Sequence, residues 1–157
     1  MANYDANALE VFNAVCRMLD SEDLKYTLDE DNLNVLLSAR GDDLQINVLF
    51  RVDTERKVLT VHSLLDTVVP QDKMAEFAIA VNAANYPLVN GSFDLSITDG
   101  KITFRMAQPY FDDSVSDEII KYIFYCLFST VDEYNDRFLM LAKEMIDLKK
   151  FIELANS

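Results

Sequence analysis

The chain has 157 residues, half of them hydrophobic and 26% charged, with 27 Asp and Glu against 14 Lys and Arg. That length suits one domain, residues 1–157, able to bury roughly two-thirds of the surface its unfolded chain exposes. A formal charge of −13 repels phosphate backbones and anionic lipid heads, which excludes nucleic acid and membrane surfaces as partners.

The segment Met1–Asp5 has no basic region ahead of an apolar core, and no apolar run reaches the ~20 residues of a membrane span. The expected location is cytoplasmic. Leu9, Phe12, Val15, Cys16 and Leu19 recur at helical spacing behind Asp5, a candidate N-cap. The period then falls to two: Tyr26 and Leu28, then Leu33, Val35, Leu37 and Ala39, then Leu44, Ile46, Val48, Phe50 and Val52 alternate with polar neighbours. Asp29–Asn32, Gly41–Asp43 and Asp53–Arg56 are short polar connectors of the hairpin kind. Lys57–Asp66 supplies a fourth strand.

After Pro70, the residues Met74, Phe77, Ala78, Val81 and Ala84 line one side of a helix that ends near Tyr86-Pro87. Phe93, Leu95 and Ile97 then lead through Asp99-Gly100, a dipeptide suited to a tight hairpin turn, into Ile102, Phe104 and Met106. The order is a helix, four strands, a helix, two strands and a last helix. The expected fold class is α+β, a two-layer domain with an antiparallel sheet of about six strands covered by three helices.

The stretches "RVDTERKVLTVHSLLDTVVPQDK" (51–73) and "NAANYPLVNGSFDLSITDGKITFRM" (82–106), with "VDEYNDRF" (131–138) downstream, resemble the bacterial YbjN family over about residues 5 to 140. The resemblance implies the fold of type III secretion chaperones and a cytoplasmic protein labelled a sensory transduction regulator, with no established enzymatic activity. Secretion chaperones of that fold are small acidic dimers that bind extended client segments, but a shared fold does not transfer a function.

The last helix is predicted to run from about 115 to 154, starting behind Ser114 or Ser116. Along it Ile120, Phe124, Leu127, Val131, Tyr134, Phe138, Leu141, Met145, Leu148 and Ile152 are spaced by alternating fours and threes, a heptad seam. A helix of ~38 residues would extend about 57 Å, against a diameter of about 40 Å for a compact chain of this length. The overhang would expose an apolar strip. Tyr134, Phe138, Leu141, Met145, Leu148 and Ile152 are therefore the candidate dimer or partner interface, with Glu144 facing Lys149 across a parallel pair. The alternatives are a bend near Asn135-Asp136 that folds the helix back on its own domain, or a docking strip for a client helix.

No catalytic constellation is visible. His62, the single histidine, shares its side of a strand with Val58, Thr60 and Leu64, and no pattern nominates a partner to orient it. Serines lack a nucleophile elbow, and the three glycines are too dispersed to cradle phosphate. Cys16 and Cys126 are too isolated for zinc or a disulfide framework, and Asp29–Asp31, Asp42-Asp43 and Asp112-Asp113 lack the order that wraps calcium. No cofactor or metal is expected. The reading is a non-enzymatic interaction module, chaperone-like or a regulatory adaptor, working as a homodimer with an unidentified protein partner. The rival is a small-molecule sensor that binds between helix 71–86 and the sheet, where Ala78, Ala80, Ala83 and Ala84 leave room.

Overall fold

A computed structural model describes residues 4–157. Helix α1 (Ala6–Ser21) opens at Asp5, whose carboxylate accepts from the Ala8 N–H at 2.7 Å and so satisfies one orphan donor of the first turn. Its buried face is Ala8, Val11, Phe12, Val15, Met18 and Leu19, while Leu9 stays 41% exposed. Phe12, Val15 and Leu19 of the stripe read off the sequence are buried, while Leu9 and Cys16 lie at its margin and Ala8, Val11 and Met18 complete it. Four strands follow: β1 (Thr27–Asp29), β2 (Asn34–Arg40), β3 (Gln45–Asp53) and β4 (Val58–Val68). A turn of 3-10 helix at Gln71–Lys73 leads into α2 (Met74–Asn85), then come β5 (Ser92–Leu95) and β6 (Lys101–Pro109).

All six strands join one sheet in the order β1-β2-β3-β4-β6-β5, antiparallel throughout. Alternation decides which side chains face the helices: Val35 and Leu37, Ile46, Val48, Phe50 and Val52, Leu59 and Val61, Ile102 and Phe104 are all buried. A register shift between Leu64 and Val68 interrupts the β4–β6 ladder. The β5–β6 connection is longer than the two-residue Asp99-Gly100 turn expected. Ile97 lies in it, 71% exposed, and of the two turn residues only Gly100 has a positive φ, 74°. A side chain at Gly100 would meet the Val69 carbonyl oxygen at 2.3 Å, beside the bond from the Val69 N–H to the Gly100 oxygen.

The sheet's covered face carries four α-helices rather than three, because the long terminal helix is broken. Helix α3 (Asp117–Ala142) starts at Ser116, whose hydroxyl accepts from the Ile119 N–H. Its 26 residues span about 39 Å, close to the width of the domain. It stops where Glu144 takes φ 57°, the Glu144 N–H bonding to the Leu141 oxygen and the Met145 N–H to the Met140 oxygen. This closure normally uses glycine; here a glutamate adopts it, at a cost of about 1 kcal/mol. Asp147 then caps α4 (Leu148–Ala155) by accepting from the Lys150 N–H at 2.8 Å. The break falls beyond Asn135-Asp136, and α4 turns back to pack on α2.

The fold-back is held by aromatic rings. Phe138 lies 5.0 Å from Phe151 of α4, 5.3 Å from Phe93 of β5 and 6.2 Å from Phe77 of α2, centroid to centroid. Each such pair adds about 0.5–1.5 kcal/mol to the burial of its area. Nearby, the side-chain amide of Asn85 binds the outer edge of β5 twice, accepting from the Phe93 N–H at 2.7 Å and donating to the Phe93 oxygen at 2.9 Å. One side chain thereby blunts a sheet edge that could otherwise template pairing with another chain.

Candidate functional site

Every helix packs on the same side of the sheet, so the other side is open. The strand residues whose side chains point there are the alternates of the core positions. Pairing aligns Leu36 with Leu49, Leu49 with His62, and His62 with Arg105; Leu64 sits opposite Thr103. A solvated sheet face should read polar at these sites. Here Leu36 is 43%, Leu64 49% and Val68 59% exposed. Leu36, Leu49 and Leu64, together with Tyr26, Lys25 and Thr103, border a concavity of about 590 Å³.

Beyond His62 the chemistry changes. A second cavity, about 470 Å³, is lined by Arg51, Arg56, Arg105, His62, Asp53 and Thr60. Asp53 holds Arg56 and Asp94 holds Arg105, both at 2.9 Å, whereas among the described residues no carboxylate pairs with Arg51. Burial, helped by the positive charge of Arg105 and Arg51, pushes the His62 imidazole below its usual value. Backbone and guanidinium donors from Arg56 likewise hold the Asp53 carboxyl below the usual carboxylate range. At the apolar end, burial and a 3.0 Å bond to Asp20 raise the Tyr26 phenol to about 12, so it stays an uncharged donor.

Charge is distributed unevenly over the molecule. On the open face Arg40, Arg51, Lys101 and Arg105 offset Asp29, Asp53, Asp66 and Asp94. The formal −13 therefore belongs to the helices, loops and tips. The strand charges of that face balance, and Lys25 and Arg56, which border its cavities, add positive charge on a protein that is otherwise strongly acidic.

The expected interface is placed differently. Tyr134, Phe138 and Leu141 are 2%, 0% and 1% exposed, buried within their own subunit. Leu148 and Ile152 are half-buried on α4, and Met145 at the break is 69% exposed. Glu144 pairs with Lys73 of the same chain at 2.8 Å instead of reaching Lys149 of another. The overhang that argued for a partner along this seam does not exist. Nor do the alanines open a cleft: Ala80 and Ala84 are fully buried in close packing, Ala83 is half-buried and Ala78 faces solvent.

His62 lies half-buried on the open face, and among the described residues it hydrogen-bonds to no carboxylate. Cys16 and Cys126 are half-buried free thiols on α1 and α3. No group of three His, Cys, Asp or Glu able to hold a metal occurs among the described residues. No helix among them is long and apolar enough to cross a membrane. The residues that sequence reasoning missed are Leu36, Leu49, Leu64 and Val68. Their signal is a set of apolar doublets, Leu36-Leu37, Leu49-Phe50, Leu64-Leu65 and Val68-Val69, each breaking the alternation of a one-sided strand.

Helices on one side of a six-stranded antiparallel sheet in this order define the α+β fold of type III secretion chaperones. SchA, seen in the HopA1–SchA chaperone–effector complex, has a TM-score of 0.58 and 15% identity over 85% of this chain and 99% of its own. The ExsC–ExsE complex gives a TM-score of 0.53 and 14% identity over 84% and 95%. YbjN from E. coli gives 0.57 and 9% over 80% and 92%. A family model, YbjN, described as "Putative bacterial sensory transduction regulator", matches residues 12–140. The chain belongs to the YbjN family. No curated protein sequence is significantly similar to it.

Proposed function

We propose that the chain is a non-enzymatic protein-interaction module, chaperone-like or a regulatory adaptor, that holds a segment of another protein on the open face of its sheet. The observation that carries this reading is the aliphatic cluster of Leu36 and Leu64, both exposed, with Leu49 half-buried beside them, on a face whose strand charges balance. Water-exposed aliphatic patches mark interaction surfaces, and two of the similar structures are of a chaperone or regulator with its bound protein. The free thiols Cys16 and Cys126 support a cytoplasmic location, since reducing compartments keep cysteines unpaired.

A photo-crosslinking side chain placed at Leu49 should trap a partner in the native host, and one placed at Tyr86 on the helical side should not. Leu36→Glu with Leu64→Glu should abolish the trapping while leaving the thermal melt unchanged. Trapping from Tyr86 alone would overturn the assignment of this face.

A second copy is compatible with the charge distribution, because two acidic subunits repel each other least across the face where the strand charges balance. Homodimerisation is therefore the second reading. Light scattering at micromolar concentration tests it: a dimer that Leu64→Glu converts to monomers supports it, and a monomer at all concentrations overturns it.

A further inference from the structure

We propose that the open face recognises a partner segment in which aliphatic side chains are followed directly by carboxylates, the aliphatic part seated at Leu36, Leu49 and Leu64 and the carboxylates held by Arg51 and Arg105. The proposal rests on the interaction reading above and adds the chemistry of the segment.

Three observations converge on it. The apolar and cationic cavities are neighbours, since His62 lines both. One bound chain could therefore occupy the two in succession. Next, the cationic end gathers three guanidinium groups, Arg51, Arg56 and Arg105, in one cavity. Arg105 sits directly across from the uncharged His62, and Arg51, opposite Thr60, lies on the diagonal from it. In a chain with nearly twice as many acids as bases, Arg51 forms no ion pair among the described residues, and the one carboxylate lining its cavity, Asp53, is engaged by Arg56. A guanidinium left unpaired beside a histidine and a second arginine is poised for a carboxylate from outside, which arginine binds through paired charge-assisted hydrogen bonds.

The overall charge does not forbid an acidic segment. Fields are screened within about 8 Å at physiological salt, so a bound carboxylate senses Arg51, Arg56 and Arg105, offset by Asp53 and Asp94, before it senses the distant acidic tips. The shape points to a chain rather than a metabolite. Both cavities open broadly to solvent along the sheet, and a small carboxylic acid would leave much of its surface wet where ligand sites normally enclose theirs.

The test is selection of random displayed peptides against the immobilised full-length protein, followed by titration of the winners with amide NMR and fluorescence anisotropy. The expected result is enrichment of peptides with aliphatic residues next to Asp or Glu, shifts at Leu49, His62 and Leu64, and weaker binding at higher salt. Arg51→Gln with Arg105→Gln should weaken these peptides about tenfold or more. Lys149→Gln with Lys150→Gln, which changes the net charge equally on α4, should not. Thermal melts of both double variants establish that they are folded.

The outcomes separate the two claims. Neutral or basic aliphatic peptides that bind at Leu49 and ignore the arginine variant would leave the interaction face standing and overturn the carboxylate proposal. Decanoate shifting the same amides while no peptide is enriched would overturn both in favour of a small ligand. Failure of any peptide to be enriched over a denatured-protein control would also overturn both.

Discussion

The two faces of this sheet are built from the same strands by the same alternation, yet they meet opposite fates. On the covered face Phe50, Val48, Val61 and Phe104 reach zero to two per cent exposure under α1 and α3. On the open face Leu36 and Leu64, one residue away from Leu37 and Leu65, keep 43% and 49% of their surface. The difference is one of supply: four helices suffice for one face. The second face carries apolar residues that no described element covers. That asymmetry separates the core under the helices from the face proposed above for recognition.

Truncation tests the contrast most severely. Phe138→Ala removes the ring shared by Phe77, Phe93 and Phe151, and should cost about 3–5 kcal/mol in urea denaturation. Leu64→Ser on the open face should stay within about 0.5 kcal/mol. A loss at Leu64 as large as that at Phe138 would mean that the open face is covered in solution, and the comparison would break in favour of self-assembly.

Between the faces lies the sheet edge. Asn85→Ala leaves the outward N–H and oxygen of Phe93 without their amide partner. The expected cost is about 1–3 kcal/mol, accompanied by concentration-dependent association read by light scattering, because the β5 edge becomes available for pairing. Unchanged stability would show that water replaces the amide.

A smaller effect of opposite sign is expected at the helix break. Glu144→Gly removes the side chain from a left-handed residue and should raise stability by up to about 1 kcal/mol. The lost pair with Lys73 is worth little against this, since Glu144 is 79% exposed. Stability that falls instead would mean that the Lys73 bridge, not the backbone closure, holds α4 against the covered face.

The smallest effect is pH-dependent and belongs to the open face. Burial and the neighbouring Arg105 and Arg51 make His62 harder to protonate when folded. Its contribution to stability is complete above the ordinary imidazole value near 6.5 and is lost as the pH falls through the lower folded value. His62→Gln should therefore flatten the acid side of the stability profile below about pH 6.5 and leave the neutral side unchanged. Identical profiles for the two proteins would place His62 in ordinary solvent.

The element order was legible because it depends on local chemistry. Period-two alternation located β2, β3 and β4 to within two residues, Asp5 announced α1 as its cap, and of the two candidate starts Ser114 and Ser116 it is Ser116 that caps α3. The polar tips told little about function, and the candidate interface was read from the last helix, where Tyr134, Phe138 and Leu141 turn out to be buried. The heptad seam was real as a pattern, but Tyr134, Phe138 and Leu141 spend it on their own aromatic core. The apolar doublets were in plain view, yet a strand's second face has meaning only once it is known which face the helices take.

What the sequence determined alone was therefore the class of fold and the positions of its strands, since backbone periodicity and capping act over a few residues. Tertiary structure decided the rest. The end of α3 at Ala142 is closed by Glu144 in a left-handed conformation that carries no glycine or proline marker, and it is stabilised by Phe151 docking on rings contributed by elements far away in the chain. The same long-range packing commits all four helices to one side of the sheet, which is the physical reason that the other side is left open.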